Sequence, residues 1–203
     1  MVYILIALLG YILGCSNMAY YISRLKKIDF RAGGSGNLGA SNAMILAGWK
    51  AGILVALHDI GKATAAALLA ELLFPTVSLA GAVAGVGAVF GHMFPFYLKF
   101  RGGKGFASYF GVALALNWRF ALLLALALIL ITLISDYIVF STMTAVVATP
   151  VYAAVTTGFP CALVLLCASA IIIWKHRENF VRLRNGTEIG LRRANRSAKE
   201  RVK

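Results

Sequence analysis

Acidic side chains are scarce in this 203-residue sequence: seven Asp and Glu stand against 20 Lys and Arg, and charged residues make up only 13% of the chain. So little charge, beside 61% hydrophobic residues and a mean hydropathy of +0.83, excludes an ordinary soluble domain, a disordered chain and a collagen-like repeat. Cys15, Cys161 and Cys167 are odd in number and lie in apolar runs without CxxC or Cys/His spacing. They read as packing residues, and neither a metal nor a cofactor is expected. No basic segment precedes the apolar run that starts at Val2, so the first span is expected to stay as an anchor. No solenoid repeat and no inverted repeat of the transporter kind is evident.

What is present in quantity is apolar chain. A crossing helix needs about 20 apolar residues. Residues 2–21, 51–73, 77–98 and 137–157 meet that, and 159–174 is a shorter candidate that Lys175 extends by snorkelling. Residues 106–134 read either as one long tilted helix or as two spans turning at Asn117, Trp118 and Arg119.

The net charge of +13 would suggest nucleic acid in a soluble protein. Here its position points elsewhere. Arg24, Lys26, Lys27, Arg31 and Lys50 form one cluster, Lys99, Arg101 and Lys104 a second, and ten cations follow from Lys175 onward. Basic clusters between apolar runs mark cytoplasmic loops and attract anionic headgroups. Membrane lipids are thus expected partners and nucleic acid is not. A single helix over 106–134 would leave the ten-cation tail outside, whereas splitting it brings the tail in. The expected fold is therefore an all-α polytopic membrane protein of seven transmembrane helices, with its N-terminus outside and its C-terminus cytoplasmic. Residues 1–203 form a single domain, a monomer, with 189–203 a basic tail.

Three polar segments fall on the expected inner face. In the first, Gly33, Gly34, Gly36 and Gly39 permit the positive φ values that let amides converge on an anion, and Ser35, Asn37, Ser41 and Asn42 add donors. A flexible linker is the plain alternative, although the apolar stretch 43–49 beside it reads as a re-entrant helix. The second segment sets Lys104 between Gly103 and Gly105, after Arg101 and Gly102, and lacks Walker A spacing. Its aromatics Phe94, Phe96, Tyr97 and Phe100 suit either an acyl groove or an interfacial belt. His92 at the inner end of its span reads as structural or as an acid/base group. His58, Asp59 and Lys62 lie within a span; Asp59 and Lys62 share a helix face and either pair or support the site. The third segment, 175–188, carries His176, Asn179, Arg182 and Glu188.

Together the runs GSGNLGASN at 34–42, GHMFPFYLKFRGGKG at 91–105 and HRENFVRLRNGTE at 176–188 resemble the motifs of the bacterial acyl-phosphate:glycerol-3-phosphate acyltransferases. The resemblance implies acyl transfer from acyl phosphate to the 1-hydroxyl of glycerol 3-phosphate, giving lysophosphatidate at the cytoplasmic face of the bacterial inner membrane, without a metal. It implies catalytic roles for Lys104, His92 or Ser35. It also implies substrate contacts from Gly34, Gly36, Asn37, Gly39, Ser41, Asn42, Arg101, Gly102, Gly103, Gly105, His176, Asn179, Arg182 and Glu188. One position departs: the family has Arg three residues after the Asn matching Asn42, and here it is Ile45. Either Lys50 or Arg31 compensates, or acceptor binding is altered. A phosphate-ester transporter and a non-catalytic scaffold are the competing classes.

Overall fold

The computed structural model describes residues 1–192; Arg193, Arg196, Lys199, Arg201 and Lys203 of the expected tail lie outside the described residues. The first apolar run is bent at Ser16 and Asn17 into α1 (Val2–Cys15) and α2 (Met18–Lys26). Asn17 caps α2, its Oδ1 accepting from the Tyr20 amide at 2.9 Å. The bend leaves the carbonyls of Cys15 and Ser16 without helical partners, and side chains supply them. Tyr97 Oη donates to Cys15 O at 2.9 Å and Lys62 Nζ to Ser16 O at 2.6 Å.

The chain continues through α3 (Ala40–Ala47), α4 (Trp49–Leu73), α5 (Ala80–Met93) with a 3-10 turn at Phe96–Leu98, and α6 (Phe106–Leu116). It then forms α7 (Trp118–Ser135), α8 (Ile138–Thr156), α9 (Phe159–Lys175) and α10 (Arg177–Arg184). There is no strand among the described residues. Residues 106–134 are indeed two helices: Asn117 ends α6 and caps α7, accepting from the Phe120 amide at 3.0 Å. Among the described residues, six helical segments are long and apolar enough to cross a membrane. With 11 residues, α6 rises about 16 Å, short of a core of about 30 Å. The apolar stretch after the first glycine-rich loop is helical as α3 and stops at Gly48, whose φ of 91° suits glycine.

Small residues set the packing. A Cβ at Gly10 or Gly14 would strike the backbone of Ala84 or Ala88, and one at Gly87 or Gly91 the backbone of Ala7 or Tyr11, so α1 and α5 touch main chain to main chain. Hydroxyls tie the other helices: half-buried Thr64 Oγ1 donates to Gly111 O at 2.8 Å, and buried Ser169 Oγ and Ser141 Oγ donate to Val146 O at 2.8 Å and Leu128 O at 2.7 Å. These contacts make α5 the buried centre and leave Leu122, Leu123 and Leu126 of α7 facing outward, as lipid contact requires.

Candidate active site

A cavity of about 130 Å3 lies where the three polar segments meet, lined among others by Ser35, Ser41, His92, Lys104, His176 and Asn179. The first loop is shaped by Asn42, which is fully buried. Its Oδ1 accepts from the Ser35 amide at 2.8 Å, and its Nδ2 donates to Phe30 O at 2.7 Å and Asn37 O at 2.9 Å. Asn42 therefore scaffolds the loop and does not line the cavity, contrary to its expected ligand contact. Gly34 and Gly36 provide the left-handed corners, at φ 59° and 69°. The Gly36 amide is spent on Gly33 O at 3.0 Å and so is withdrawn from the expected cradle of glycine amides. Ser35 and Asn37 of the loop line the cavity, and so does the start of α3 with Gly39, Ala40 and Ser41; no side chain caps this helix. Its first-turn amides and positive dipole end are left for a ligand.

The second loop is clamped to the end of α5. The Gly102 amide donates to Met93 O and the Gly103 amide to His92 O, each at 3.1 Å, and Gly103 presses on the His92 ring so closely that a Cβ would collide with it. These two glycines thus position His92 and do not cradle an anion themselves. Arg101 is exposed and outside the cavity lining; its carbonyl accepts from Arg31 Nη2 at 2.8 Å. Gly105, at φ 92°, starts α6, which again has no side-chain cap and lines the cavity with Phe106 and Ala107. Two uncapped helix N-termini therefore converge on one cavity, with Lys104 beside the second.

Lys104 Nζ donates to Asn179 Oδ1. Asn179 Nδ2 donates to Glu188 Oε1 and Arg182 Nε to Glu188 Oε2, both at 2.6 Å. Arg182 thus acts through Glu188 and is not itself part of the lining. Burial, reinforced by the nearby Arg182 guanidinium, pulls the Lys104 ammonium down to about 8, against the opposing pull of Glu178 and Glu188. His176 is buried, its Nδ1 2.8 Å from Ile172 O, which fixes Nδ1 as the protonated nitrogen.

Behind the cavity sits a buried ionic cluster. Asp59 Oδ1 is 2.7 Å from Lys62 Nζ and 3.2 Å from His92 Nδ1. Asp59 and His92 both line the cavity, while Lys62 stands behind them. His58 bridges outward from the cluster: its Nδ1 lies 3.6 Å from Asp59 Oδ1 and its Nε2 3.0 Å from Ser16 Oγ. Ser35 lines the cavity, and among the described residues no histidine or carboxylate hydrogen-bonds its hydroxyl.

Several lining residues carry no signal in the sequence. Ile138, Val139 and Thr142 of α8 sit in an ordinary apolar run, and Ile189, Gly190 and Leu191 fall in what reads as tail. The tail expected from Ile189 therefore begins as cavity wall. Ile45 lines the cavity where the resemblance calls for Arg, and neither Arg31 nor Lys50 joins it there. Arg31 holds Leu98 O and Arg101 O, and Lys50 lies over the Trp49 ring. Adjoining the cavity, and sharing Ser41, Phe106 and Leu191 with it, is an apolar slot of about 370 Å3 that runs to Ala125 and Leu128 of α7.

The glycerol-3-phosphate acyltransferase family pattern matches residues 4–186. A glycerol-3-phosphate acyltransferase of Coxiella burnetii (strain CbuG_Q212) is 38% identical over 93% of this chain and 97% of its own. A glycerol-3-phosphate acyltransferase 1 of Oceanobacillus iheyensis is 36% identical over 90% and 92%. The fold superposes on the crystal structure of PlsY (YgiH), an integral membrane glycerol 3-phosphate acyltransferase, in its glycerol 3-phosphate form, with a TM-score of 0.86 and 32% identity over 94% of this chain and 96% of that one. The lysophosphatidic acid form of the same enzyme gives 0.83. A pattern that spans nearly the whole chain, relatives of matching length and a shared helical fold together place this protein in the glycerol-3-phosphate acyltransferase family.

Proposed function

We propose that the chain transfers a fatty acyl group from an acyl phosphate to the 1-hydroxyl of glycerol 3-phosphate, giving lysophosphatidate and inorganic phosphate. The observation that carries this reading is the meeting of two uncapped helix N-termini and Lys104 on one cavity that adjoins an apolar slot. Phosphate groups need amide and cationic donors, and a fatty chain needs the slot.

Acyl phosphate is a mixed anhydride, so no enzyme nucleophile is required. The acceptor hydroxyl attacks the carbonyl carbon and the bond to the phosphate oxygen breaks. The hydroxyl proton passes to the departing phosphate, either directly or by way of His92, so no net proton is released. Lys104 and the first-turn amides of α6 offset the negative charge that grows on the oxyanion and leaving group. Asp59 and Lys62 hold His92, while Ser35, Asn37, Gly39 and Ser41 bind from the α3 side. Gly34, Gly36, Asn42, Gly102 and Gly103 shape the loops, and Asn179, Arg182 and Glu188 hold Lys104. Among the described residues no base bonds the Ser35 hydroxyl, which favours direct transfer over an acyl-serine.

In the membrane, seven crossings with the N-terminus outside place this cavity and the basic residues on the cytoplasmic side of a bacterial inner membrane, α6 making the short crossing with its flanking residues. The whole chain acts as a single-domain monomer among anionic lipids. The purified protein in detergent is expected to make lysophosphatidate from palmitoyl phosphate and not from palmitoyl-CoA, unaffected by chelator. Flux of glycerol 3-phosphate into proteoliposomes without phosphate release would instead establish a transporter.

A further inference from the structure

One wall of the cavity is the segment that follows α10. Its start is fixed by helix α10: the amides of Thr187 and Glu188 donate to Arg182 O at 2.8 and 3.2 Å, and the Glu188 carboxylate receives Asn179 and Arg182. Its far end is fixed by a single residue of the turn between α7 and α8. The Leu191 amide donates to Asp136 O at 2.8 Å, the Arg192 amide to Asp136 Oδ1 at 2.9 Å, and Arg192 Nε lies 3.9 Å from the same oxygen. Gly190 runs so close beneath the Asp136 carboxylate that a Cβ there would collide with it. Between these two anchors, Ile189, Gly190 and Leu191 line the cavity, and Leu191 lines the apolar slot as well.

Leu191 thus stands at the junction of the polar cavity and the slot. On the acyl-transfer reading above, on which this inference rests, that junction is where the carbonyl end of the donor lies, its phosphate on one side and its chain on the other. We propose that Asp136 is a positioning residue for the acyl donor: its carbonyl holds the Leu191 amide, and its carboxylate, by holding Arg192 next along the chain, keeps Leu191 in place as the fixed wall where cavity and slot meet. Asp136 itself lines neither the cavity nor the slot. It has φ 70°, a conformation that Asn and Gly tolerate and other side chains resist, which allows its carboxylate to be varied without disturbing the turn.

Two variants separate the side chain from the backbone. Asp136→Asn keeps a side-chain acceptor for Arg192, and Asp136→Gly keeps the turn and the carbonyl that holds Leu191 but loses the side-chain acceptor. The Asp136→Gly protein is expected to show a KM for palmitoyl phosphate raised about fivefold, with the KM for glycerol 3-phosphate changed by less than about twofold, the scale of losing one hydrogen bond at a single wall. Asp136→Asn is expected to restore the wild-type donor KM. Amide exchange at residues 189–192, read by mass spectrometry, is expected to quicken in Asp136→Gly and not in Asp136→Asn. An unchanged donor KM in Asp136→Gly overturns the proposal, as does an equal rise in both KM values, which would mark a general loss of structure. A wild-type protein that transfers no acyl group from palmitoyl phosphate would overturn the reading beneath it, and the donor role with it, whatever the exchange data show.

Discussion

Lys104 and Asn179 are hydrogen-bonded side chain to side chain, 75 residues apart in sequence, so that the loop entering α6 is tied to the helix after the last long span. The bond aims an ammonium group into the cavity. Asn179 is in turn held by Glu188, which also takes Arg182, so one loop cation is oriented by three residues of the third segment.

The state of that ammonium sets a pH dependence. Its value of about 8 means the cation is fully present below that pH and is lost as the pH rises through it. Since the charged form attracts phosphate, kcat/KM is expected to fall above about pH 8. Lys104→Arg, whose guanidinium stays charged, shifts that fall to higher pH at a reduced rate, and Lys104→Ala loses at least ~100-fold. A pH profile of the Arg variant that overlays the wild type would remove Lys104 from this role.

Lys62 neutralises a carboxylate that is 2% exposed. Lys62→Met leaves Asp59 buried without its cation, a loss on the order of 3–5 kcal/mol in stability. The double variant Lys62→Met with Asp59→Asn removes the stranded charge and is expected to recover much of the thermal stability in detergent. No recovery would mean that the cluster does not act as a pair.

Gly103 leaves no room beside the His92 ring. Gly103→Ala is expected to displace that ring and lower kcat more than it raises either KM, because the substrate donors on α3 and α6 are untouched. Crystallographic or cryo-EM coordinates of the variant with His92 in place would refute the assignment.

The slot ends against small and apolar residues of α7, among them Ala125. Ala125→Trp is expected to block its deep end, cutting turnover of palmitoyl phosphate while sparing an eight-carbon acyl phosphate. Equal loss with both chain lengths would place the acyl group elsewhere.

The helical framework was legible because hydrophobic length and basic clusters are read directly from composition along the chain. The break at Asn117 is a polar interruption in an apolar run, and the structure has it as a helix end and a cap together. The three polar segments were legible as a set, since glycine, cation and histidine stand out against an apolar background. Which atoms of those segments face a ligand was not. Nothing in the composition tells a free glycine amide from one already bonded to the end of α5, as at Gly102 and Gly103. Nor does an isoleucine or valine of α8 differ in sequence from its lipid-facing neighbours, although Ile138 and Val139 complete the cavity. Asp136 is similarly mute: it reads as an ordinary turn residue, and its partners lie 55 residues or more downstream.

The bend between α1 and α2 bears on biogenesis. Among the described residues, Ser16 O and Cys15 O find their donors in Lys62 and Tyr97, 46 and 82 residues further along the chain. During synthesis the first hairpin arm must therefore enter the lipid with two carbonyls unanswered, or wait beside the insertion machinery until the later helices emerge. Its final seat is thus completed only after α4 and α5 have been made, so a segment translated before both is locked by the later of them.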